Sequence, residues 1–329
     1  MKKVNVGITG TGHALPDEVI TNADLEKIVE TSDEWISTRT GIKERRKARP
    51  DEYTSTLATR AARQALEMAG VDAKDLDVII CATVCPDMAL PATACIIQSL
   101  LGAKRAAAFD MAAACSGFIY GLTLAEGMIQ SGRARTILLI GAELLTRYVD
   151  YTDRSTCVIF GDGAGAAVIQ PVEDGRGLLA VRIQSDGDYI DYLYTPGGGT
   201  RYPASIETVT NRLHYIKMRG NELFKVAVRS MEEISRRVLD DLRMSPNDID
   251  LFIPHQANQR ITEAVAERLG LPLEKVYSNI HRVGNTSSAS IPIALDECVR
   301  TGRVKPGDLV MMASFGAGVT FGAAILRWG

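Results

Sequence analysis

The chain has 329 residues, of which 46% are hydrophobic and 23% are charged, and its formal net charge is −3. These proportions are typical of a globular protein that can bury one large core or two medium ones. Lysine and arginine are not in excess over aspartate and glutamate, so the composition gives no indication of a nucleic-acid partner.

Both ends of the chain predict strands. The N-terminal stretch MKKVNVGITGTG predicts a first β-strand and not a signal peptide, because Asn5 and the glycines interrupt its apolar residues. The uncharged run at 309–326 reaches the length of a transmembrane helix, but its glycines and β-branched residues favour two buried strands joined by a turn. We therefore expect a cytoplasmic protein without membrane contact, in which the six cysteines stay reduced.

Apolar, β-rich segments alternate along the chain with amphipathic helical patterns. The helical patterns at 55–70 and 261–270 each end on a glycine, which favours the left-handed conformation at a helix terminus. The strand-like segments lie at 4–8, 77–83, 135–142, 158–169, 250–253 and 308–314. This alternation predicts an α/β protein with largely buried parallel strands.

The two halves of the chain resemble each other. DLDVII at 75–80 recurs as DIDLFI at 248–253, and SGR at 131–133 recurs as TGR at 301–303, offsets of 173 and 170 residues. Such spacing predicts one α/β unit that has been duplicated. An offset of 170 from Cys115 reaches Asn285, so a pseudo-twofold axis would bring these two residues toward each other.

Cys115 stands in the stretch AAAFDMAAACSGFIYG, between a predicted strand and a predicted helix. A helix N-terminus presents unpaired N–H groups and the positive end of the dipole, which favours a thiolate over a thiol of pKa ~8.5. Most free cysteines are small core residues, and we interpret the other five in that way. For Cys115 the sequence alone leaves both interpretations open.

His255 and Asn285 are the other candidate functional residues. His255 follows the carboxyl end of a strand in LFIPHQANQR, where open α/β sheets bind ligands. Asn285, in HRVGNTSSAS, could equally be a helix cap. The glycine-rich stretches at 7–12 and 161–165 do not open helices, so neither predicts a nucleotide-binding loop.

These residues belong to longer motifs that resemble the β-ketoacyl-acyl-carrier-protein synthase III family, the initiating condensing enzymes of bacterial type II fatty-acid synthesis. Elongating synthases of the same fold use a cysteine and two histidines, whereas this chain has Asn285 in place of the second histidine. Thiolases use a second cysteine as base, and the turn at 316–318 has none. The motifs that carry the resemblance are TSDEWISTRTGIKERR (31–46), DMAAACSGFIYGL (110–122), DRSTCVIFGDGAGAAVI (153–169), PHQANQRI (254–261) and GNTSSASIPIAL (284–295).

The resemblance implies a thiolase-like α/β fold: two pseudo-symmetric halves, 1–172 and 173–329, in a five-layer αβαβα arrangement, assembled as a homodimer. It also implies a decarboxylative Claisen condensation without cofactor or metal. Cys115 would take the acyl group of a short acyl-CoA and release CoA. Malonyl-acyl-carrier protein would then lose CO₂ and attack the acyl-enzyme to give a 3-ketoacyl-acyl-carrier protein.

The same resemblance assigns roles to further residues. His255 and Asn285 would donate hydrogen bonds to the enolate formed on decarboxylation, and the backbone N–H groups of Cys115 and Ala317 would form the oxyanion hole. Leu90 would end the acyl pocket and leaves the primer length open. The remaining assignments are Trp35, Arg39 and Arg154 for the CoA adenine, Asn258 and Arg260 for the pantetheine passage, and Lys225, Arg260 and Arg268 for docking the carrier protein.

Three alternatives remain at this point. One is a non-catalytic paralogue that binds the carrier protein, although the presence of Cys115, His255 and Asn285 argues against it. A related synthase could condense acyl chains for a specialised product such as a polyketide or a ketone. A hydrolase could use Cys115, His255 and Asn285 as a papain-like triad, in which Asn285 would orient His255.

Overall fold

The computed structural model describes residues 4–329, which form two packed α/β units. The strands are β1 (Val6–Ala14), β2 (Glu18–Thr21), β3 (Glu44–Lys47), β4 (Val78–Ala82), β5 (Ala107–Met111), β6 (Ile137–Leu144), β7 (Asp162–Pro171), β8 (Gly177–Ser185), β9 (Leu193–Tyr194), β10 (Lys217–Met218), β11 (Leu251–Pro254), β12 (Leu309–Gly316) and β13 (Thr320–Arg327). The α-helices are α1 (Asn22–Leu25), α2 (Asp33–Thr40), α3 (Thr54–Ala69), α4 (Thr93–Leu101), α5 (Gly117–Gln130), α6 (Arg154–Cys157), α7 (Ile206–Thr210), α8 (Gly220–Leu242), α9 (Gln259–Leu269), α10 (Ile280–Val283) and α11 (Ser290–Arg300).

Two mixed sheets form the framework. The first has the order β1-β7-β6-β4-β5 and the second the order β11-β12-β13-β8. Strands β4, β5 and β6 run parallel, as do β11 and β12, whereas β7, β13, β1 and β8 pair antiparallel with their neighbours. The expectation of largely parallel strands was therefore wrong for β1, β7, β8 and β13. Only three residues connect β12 to β13, too few for a crossover, so these two strands must form a hairpin.

The sheets and helices stack in five layers, as the resemblance implied. Helices α5 and α11 lie between the two sheets and contact strands of both. Helix α3 covers the outer face of the first sheet, and α8 with α9 covers the outer face of the second. Separate apolar clusters fill the central layer and each outer layer. The amphipathic patterns predicted at 55–70 and 261–270 are α3 and α9.

The apolar run near the C-terminus forms β12 and β13, which confirms the prediction of two buried strands joined by a turn. Within residues 4–329, no helix combines the length and the apolar character needed to cross a membrane.

The duplication is visible in the strand order. Strands β4, β6, β7 and β1 of the first sheet correspond to β11, β12, β13 and β8 of the second. The short 3-10 turns before α5 and α11, Ala114–Ser116 and Ser287–Ala289, correspond at an offset of 173 residues. The counterpart of Cys115 is therefore Ser288. The offset of 170 was wrong for this segment, and Asn285 lies three residues before Ser288.

Candidate active site

Cys115 lies in the turn between β5 and α5, where the sequence predicted a strand-to-helix junction. Cys115 is buried, with only 6% of its surface exposed. Burial raises the pKa of the thiol to about 12, while a hydrogen bond with the Ser287 side chain acts in the opposite direction. The expected shift toward the thiolate is thus wrong for this buried position, because desolvation penalises a charged sulfur.

Two cavities meet at Cys115. The first, of about 510 Å³, is also lined by His255 and Asn285, so the three predicted catalytic residues lie around one space. The second, of about 560 Å³, has mostly apolar walls. These walls include Met88, Leu145, Tyr148, Ile216 and Ala317. Cys115 is therefore accessible from two sides, one rich in hydrogen-bond donors and the other suited to an acyl chain.

His255 follows β11 and is held in a fixed orientation. Its backbone N–H donates to the Ala313 carbonyl at 2.8 Å, and its Nδ1 lies 2.6 Å from the Ser290 hydroxyl. Burial lowers the pKa of the imidazole to about 3, so the ring is neutral at neutral pH. With the Ser290 hydroxyl donating to Nδ1, the ring proton lies on Nε2.

Asn285 is fixed by both its backbone and its side chain. Its N–H donates to the Ile159 carbonyl at 2.9 Å, and its own carbonyl accepts from the N–H of Gly161 at 3.0 Å. The side-chain Oδ1 accepts from the N–H of Ser287 at 2.8 Å, which is the turn-capping role that the sequence left open. Because Oδ1 has this partner, the amide NH₂ is the group left for a ligand in the cavity.

The turn after β12 packs against Cys115. A Cβ on Gly316 would lie 2.6 Å from the backbone nitrogen of Cys115, so only glycine fits this position without movement. The Thr320 hydroxyl donates to the Ala113 carbonyl at 2.9 Å and ties the two turns together. Ala317 lines the second cavity beside Cys115, where its backbone N–H was predicted to act.

Trp35, Arg39 and Arg154 lie together at the surface. The guanidinium carbons of Arg39 and Arg154 lie 5.2 Å and 5.1 Å from the centre of the Trp35 ring. Ser32 begins α2 by accepting from the N–H of Trp35 at 3.1 Å, which sets the position of the indole. Arg39 also lines the first cavity, so the Trp35 cluster is connected to that cavity through this residue.

The residues predicted for the passage and for carrier docking divide into two groups. Asn258, Arg260 and Lys225 line the first cavity. The Asn258 side chain caps α9 by accepting from the N–H of Arg260, and it donates to the Arg39 carbonyl at 3.0 Å. Arg268 does not line that cavity and instead pairs with Glu232 at 3.1 Å.

Leu90 does not reach the acyl cavity of its own chain. It is 85% exposed, and the preceding residues Met88 and Ala89 line the cavity in its place. The prediction that Leu90 ends the pocket is therefore wrong within a single subunit, because its loop directs this side chain outward.

Three residues near the site were not predicted. Ser287 contacts Cys115, Ser290 contacts His255, and Glu143 bonds Ser287 and Ser288 from β6. The sequence held a signal for each. Glu143 is the single charge in the apolar strand ILLIGAEL, and the serines fall in the hydroxyl-rich stretch TSSAS.

This combination of a five-layer fold, a buried cysteine at a helix start and two facing hydrogen-bond donors defines an acyltransferase of the condensing type with the thiolase fold. Two family models match the chain. They are described as 3-oxoacyl-[acyl-carrier-protein] synthase III over residues 109–187 and its C-terminal region over residues 239–328.

Three similar proteins support the same assignment. A β-ketoacyl-[acyl-carrier-protein] synthase III of Symbiobacterium thermophilum is 56% identical over 329 residues and covers all of both chains. The crystal structure of 3-oxoacyl-[acyl-carrier-protein] synthase III from Aquifex aeolicus is 51% identical with a TM-score of 0.92, over 98% of this chain and all of that one. The priming β-ketosynthase of the R1128 polyketide pathway is 34% identical with a TM-score of 0.92, over 99% of this chain and 97% of that one. The chain belongs to the β-ketoacyl-acyl-carrier-protein synthase III family, which confirms the resemblance.

Proposed function

We propose that this enzyme joins a short acyl group from acyl-CoA to malonyl-acyl-carrier protein with loss of CO₂, and so initiates fatty-acid synthesis. The observation that carries the proposal is the position of Cys115 at the junction of two cavities. One cavity can receive the thioester arm beside His255 and Asn285, and the other can hold the acyl chain once it is on the sulfur.

In the first step, the Cys115 sulfur attacks the thioester carbonyl and CoA leaves as a thiol. The negative charge that develops on the carbonyl oxygen is stabilised by the backbone N–H groups of Cys115 and Ala317. Gly316 keeps these two backbone segments close together.

In the second step, the malonyl group loses CO₂ and its thioester oxygen becomes an enolate. His255 Nε2–H and the Asn285 amide donate to this oxygen, so no base is needed to create the carbanion. A neutral imidazole suits this role, because it donates without exchanging its proton. The carbanion then attacks the acyl-enzyme and gives the 3-ketoacyl product.

The binding roles are inferred from where the residues lie. Trp35, Arg39 and Arg154 hold the adenine of CoA, and Asn258 with Arg260 lines the pantetheine passage. Lys225 and Arg260 at the cavity attract the acidic carrier protein, whereas the Glu232 ion pair makes Arg268 a weaker contact. We propose that the reaction uses these groups without cofactor or metal.

We also propose a cytoplasmic homodimer. Leu90 and Ile206 are 85% and 88% exposed, and a second copy of the chain would remove such apolar side chains from water.

The test is the intact mass of the enzyme after mixing with a panel of acyl-CoAs, repeated on Cys115→Ala. We expect a stable adduct of one short acyl group, which is absent in the variant and is discharged by malonyl-acyl-carrier protein. If no acyl-CoA labels Cys115, initiation from CoA is wrong and carrier-bound donors should be tried.

The specialised synthase has less support, since the 56% identical relative carries the β-ketoacyl-[acyl-carrier-protein] synthase III name, whereas the polyketide enzyme is 34% identical. The hydrolase triad is contradicted by the site itself. His255 Nδ1 contacts Ser290 and not Asn285, so Asn285 does not orient the imidazole.

A further inference from the structure

Glu143 is a buried carboxyl that the chemistry above does not use. It is fully buried on β6 and accepts hydrogen bonds from the N–H of Val84 at 3.0 Å and the Thr83 hydroxyl at 3.3 Å on Oε2. In the described part of the chain, no cationic side chain forms an ion pair with it. Burial raises the pKa of this carboxyl, so its affinity for a proton is greater than that of an ordinary glutamate.

Ser287 lies between Glu143 and the nucleophile. Its hydroxyl donates to Glu143 Oε1 at 3.1 Å, and it lines the second cavity together with Cys115, whose thiol pKa its side chain lowers. The backbone of Ser287 has a φ of 49°, a left-handed conformation that is uncommon for residues other than glycine. This conformation holds one hydroxyl between an acid and a thiol.

Ser288 allows the same network to hold a proton on Glu143. Its hydroxyl has one hydrogen but two acceptors, Glu143 Oε1 at 2.9 Å and the Ala82 carbonyl at 2.8 Å. When Oε1 is protonated, it can donate to Ser288, and Ser288 then donates to Ala82. Each hydrogen therefore has an acceptor in both protonation states, which is unusual for a buried carboxyl.

We propose that Ser287 and Glu143 accept the thiol proton of Cys115 when its sulfur becomes a nucleophile. The S–H bond breaks as a bond forms from that proton to the Ser287 oxygen, and the Ser287 proton passes to Glu143 Oε1. The charge moves from carboxylate to thiolate, so the buried site keeps one negative charge and does not acquire a second. Glu143 acts through Ser287 and does not touch the substrate.

The proton transfer itself is independent of the proposed function, and only the later steps rest on it. The thiolate attacks the acyl-CoA carbonyl, the C–S bond to CoA breaks, and the departing CoA thiolate takes a proton from solvent. Once the acylated sulfur is uncharged, Glu143 releases its own proton to solvent.

Other titratable groups surround this network and must be separated from it. The Glu143 charge contributes to the raised pKa of three neighbouring groups, the thiols of Cys81 and Cys85 and the hydroxyl of Tyr148. The Cys85 thiol also interacts with the carboxyl directly. His255 lines the first cavity with Cys115 and stays neutral above about pH 3. The measurement must therefore report on Cys115 alone.

The experiment is the rate of Cys115 alkylation by iodoacetamide from about pH 6 to about pH 10, read at the Cys115 peptide by mass spectrometry. In the wild type we expect the rate to level off below the pH at which the buried thiol itself titrates, because the Glu143 pKa sets the pH at which the shared charge appears. In Glu143→Gln we expect the rate to rise about tenfold per pH unit up to the thiol's own pKa.

Two variants separate proton transfer from structural support. Ser287→Ala should keep the plateau but lower its rate by about tenfold or more, because the thiolate loses a charged hydrogen bond. Ser235→Ala, which removes a buried hydroxyl of α8 outside both cavities, should leave the profile unchanged. Thermal unfolding of each variant shows whether it is folded.

Parallel profiles for the wild type and Glu143→Gln would overturn the proposal, as would an unchanged rate in Ser287→Ala. If Glu143→Gln does not fold, the wild type is sufficient as a test: an alkylation rate that rises tenfold per pH unit over the whole range would overturn the proposal. Iodoacetamide requires no acyl-CoA, so this result is independent of whether the proposed substrates are right.

Discussion

The turns that open α5 and α11 have matching backbones but different chemistry. Ala114 and Ser287 occupy equivalent positions and have φ values of 45° and 49°, a conformation rare for residues with a Cβ. The first turn presents the sulfur of Cys115. The second presents two serine hydroxyls to Glu143, while the amide that faces the cavity comes from Asn285, three residues earlier.

This difference shows how a duplicated fold can divide one reaction between its halves. The pseudo-symmetry brings two helix starts together near the middle of the molecule. In the proposed reaction the first half supplies the nucleophile, and the second supplies His255 and Asn285, which line the same cavity. Substitutions at the turn of the nucleophile and at these two donors should therefore affect different steps of the reaction.

The largest effect is expected for Asn285→Ala. Removal of one donor to a developing oxyanion costs about 100- to 1000-fold in rate, so decarboxylation of the malonyl substrate should slow by that factor. Acylation of Cys115 by acyl-CoA should remain within about tenfold of the wild type, because a different oxygen is stabilised in that step. Stopped reactions analysed by intact mass measure both steps, and equal losses in the two would contradict the division.

Gly316→Ala tests the acylation step in the same way, from a residue of the second half that packs against Cys115. Its Cβ would approach the Cys115 nitrogen to 2.6 Å and displace a backbone donor of the oxyanion hole, so acylation should fall about 100-fold. The matched control is Gly127→Ala in α5, where a Cβ has open space, and which should stabilise the helix by about 0.5–1 kcal/mol. Normal acylation in the Gly316 variant would show that this contact does not position the oxyanion hole.

Local signals predicted an α/β fold and made Cys115, His255 and Asn285 candidates, whereas the five-layer arrangement and the roles of these residues came from the family resemblance. A cysteine before a helix, a histidine after a strand and a duplicated strand motif can each be recognised within a few residues. The predicted equivalence of Cys115 and Asn285 was less accurate, since the offset of 170 came from SGR and TGR, whereas β4 and the start of α5 lie 173 residues before β11 and the start of α11.

Burial could not be predicted from these signals. The helix start suggested a thiolate at Cys115, but the observed packing places the sulfur in a desolvated site, where its pKa rises. The contact between Glu143 and Ser287 joins residues 144 positions apart and depends on how the two halves pack. The sequence around Leu90 likewise suggested a residue of the acyl pocket, but its loop directs the side chain away from the cavity.

Trp35→Ala tests a feature that only the first half has, the proposed adenine site around Trp35 of α2. Each guanidinium over an exposed ring contributes about 0.5–1 kcal/mol, and stacking on adenine adds to this, so KM for acyl-CoA should rise about tenfold with kcat nearly unchanged. An acyl-pantetheine thioester, which lacks the adenine, should react equally with both proteins. A similar loss with that shorter substrate would mean that Trp35 supports the fold and not the nucleotide.

The last prediction concerns the stability of the folded state and a residue of the second half. Burial lowers the pKa of His255 to about 3 from an ordinary value of 6.5, so below pH 6.5 the unfolded state binds a proton that the folded state does not. The free energy of unfolding should therefore fall as the pH drops from about 6.5, by up to about 1.4 kcal/mol per pH unit for this group. His255→Gln cannot titrate, so its free energy of unfolding in urea should fall less steeply between about pH 6.5 and pH 4.5. The other titrating groups are common to both proteins and cancel in the comparison, and identical slopes would show that the imidazole takes up a proton in the folded state.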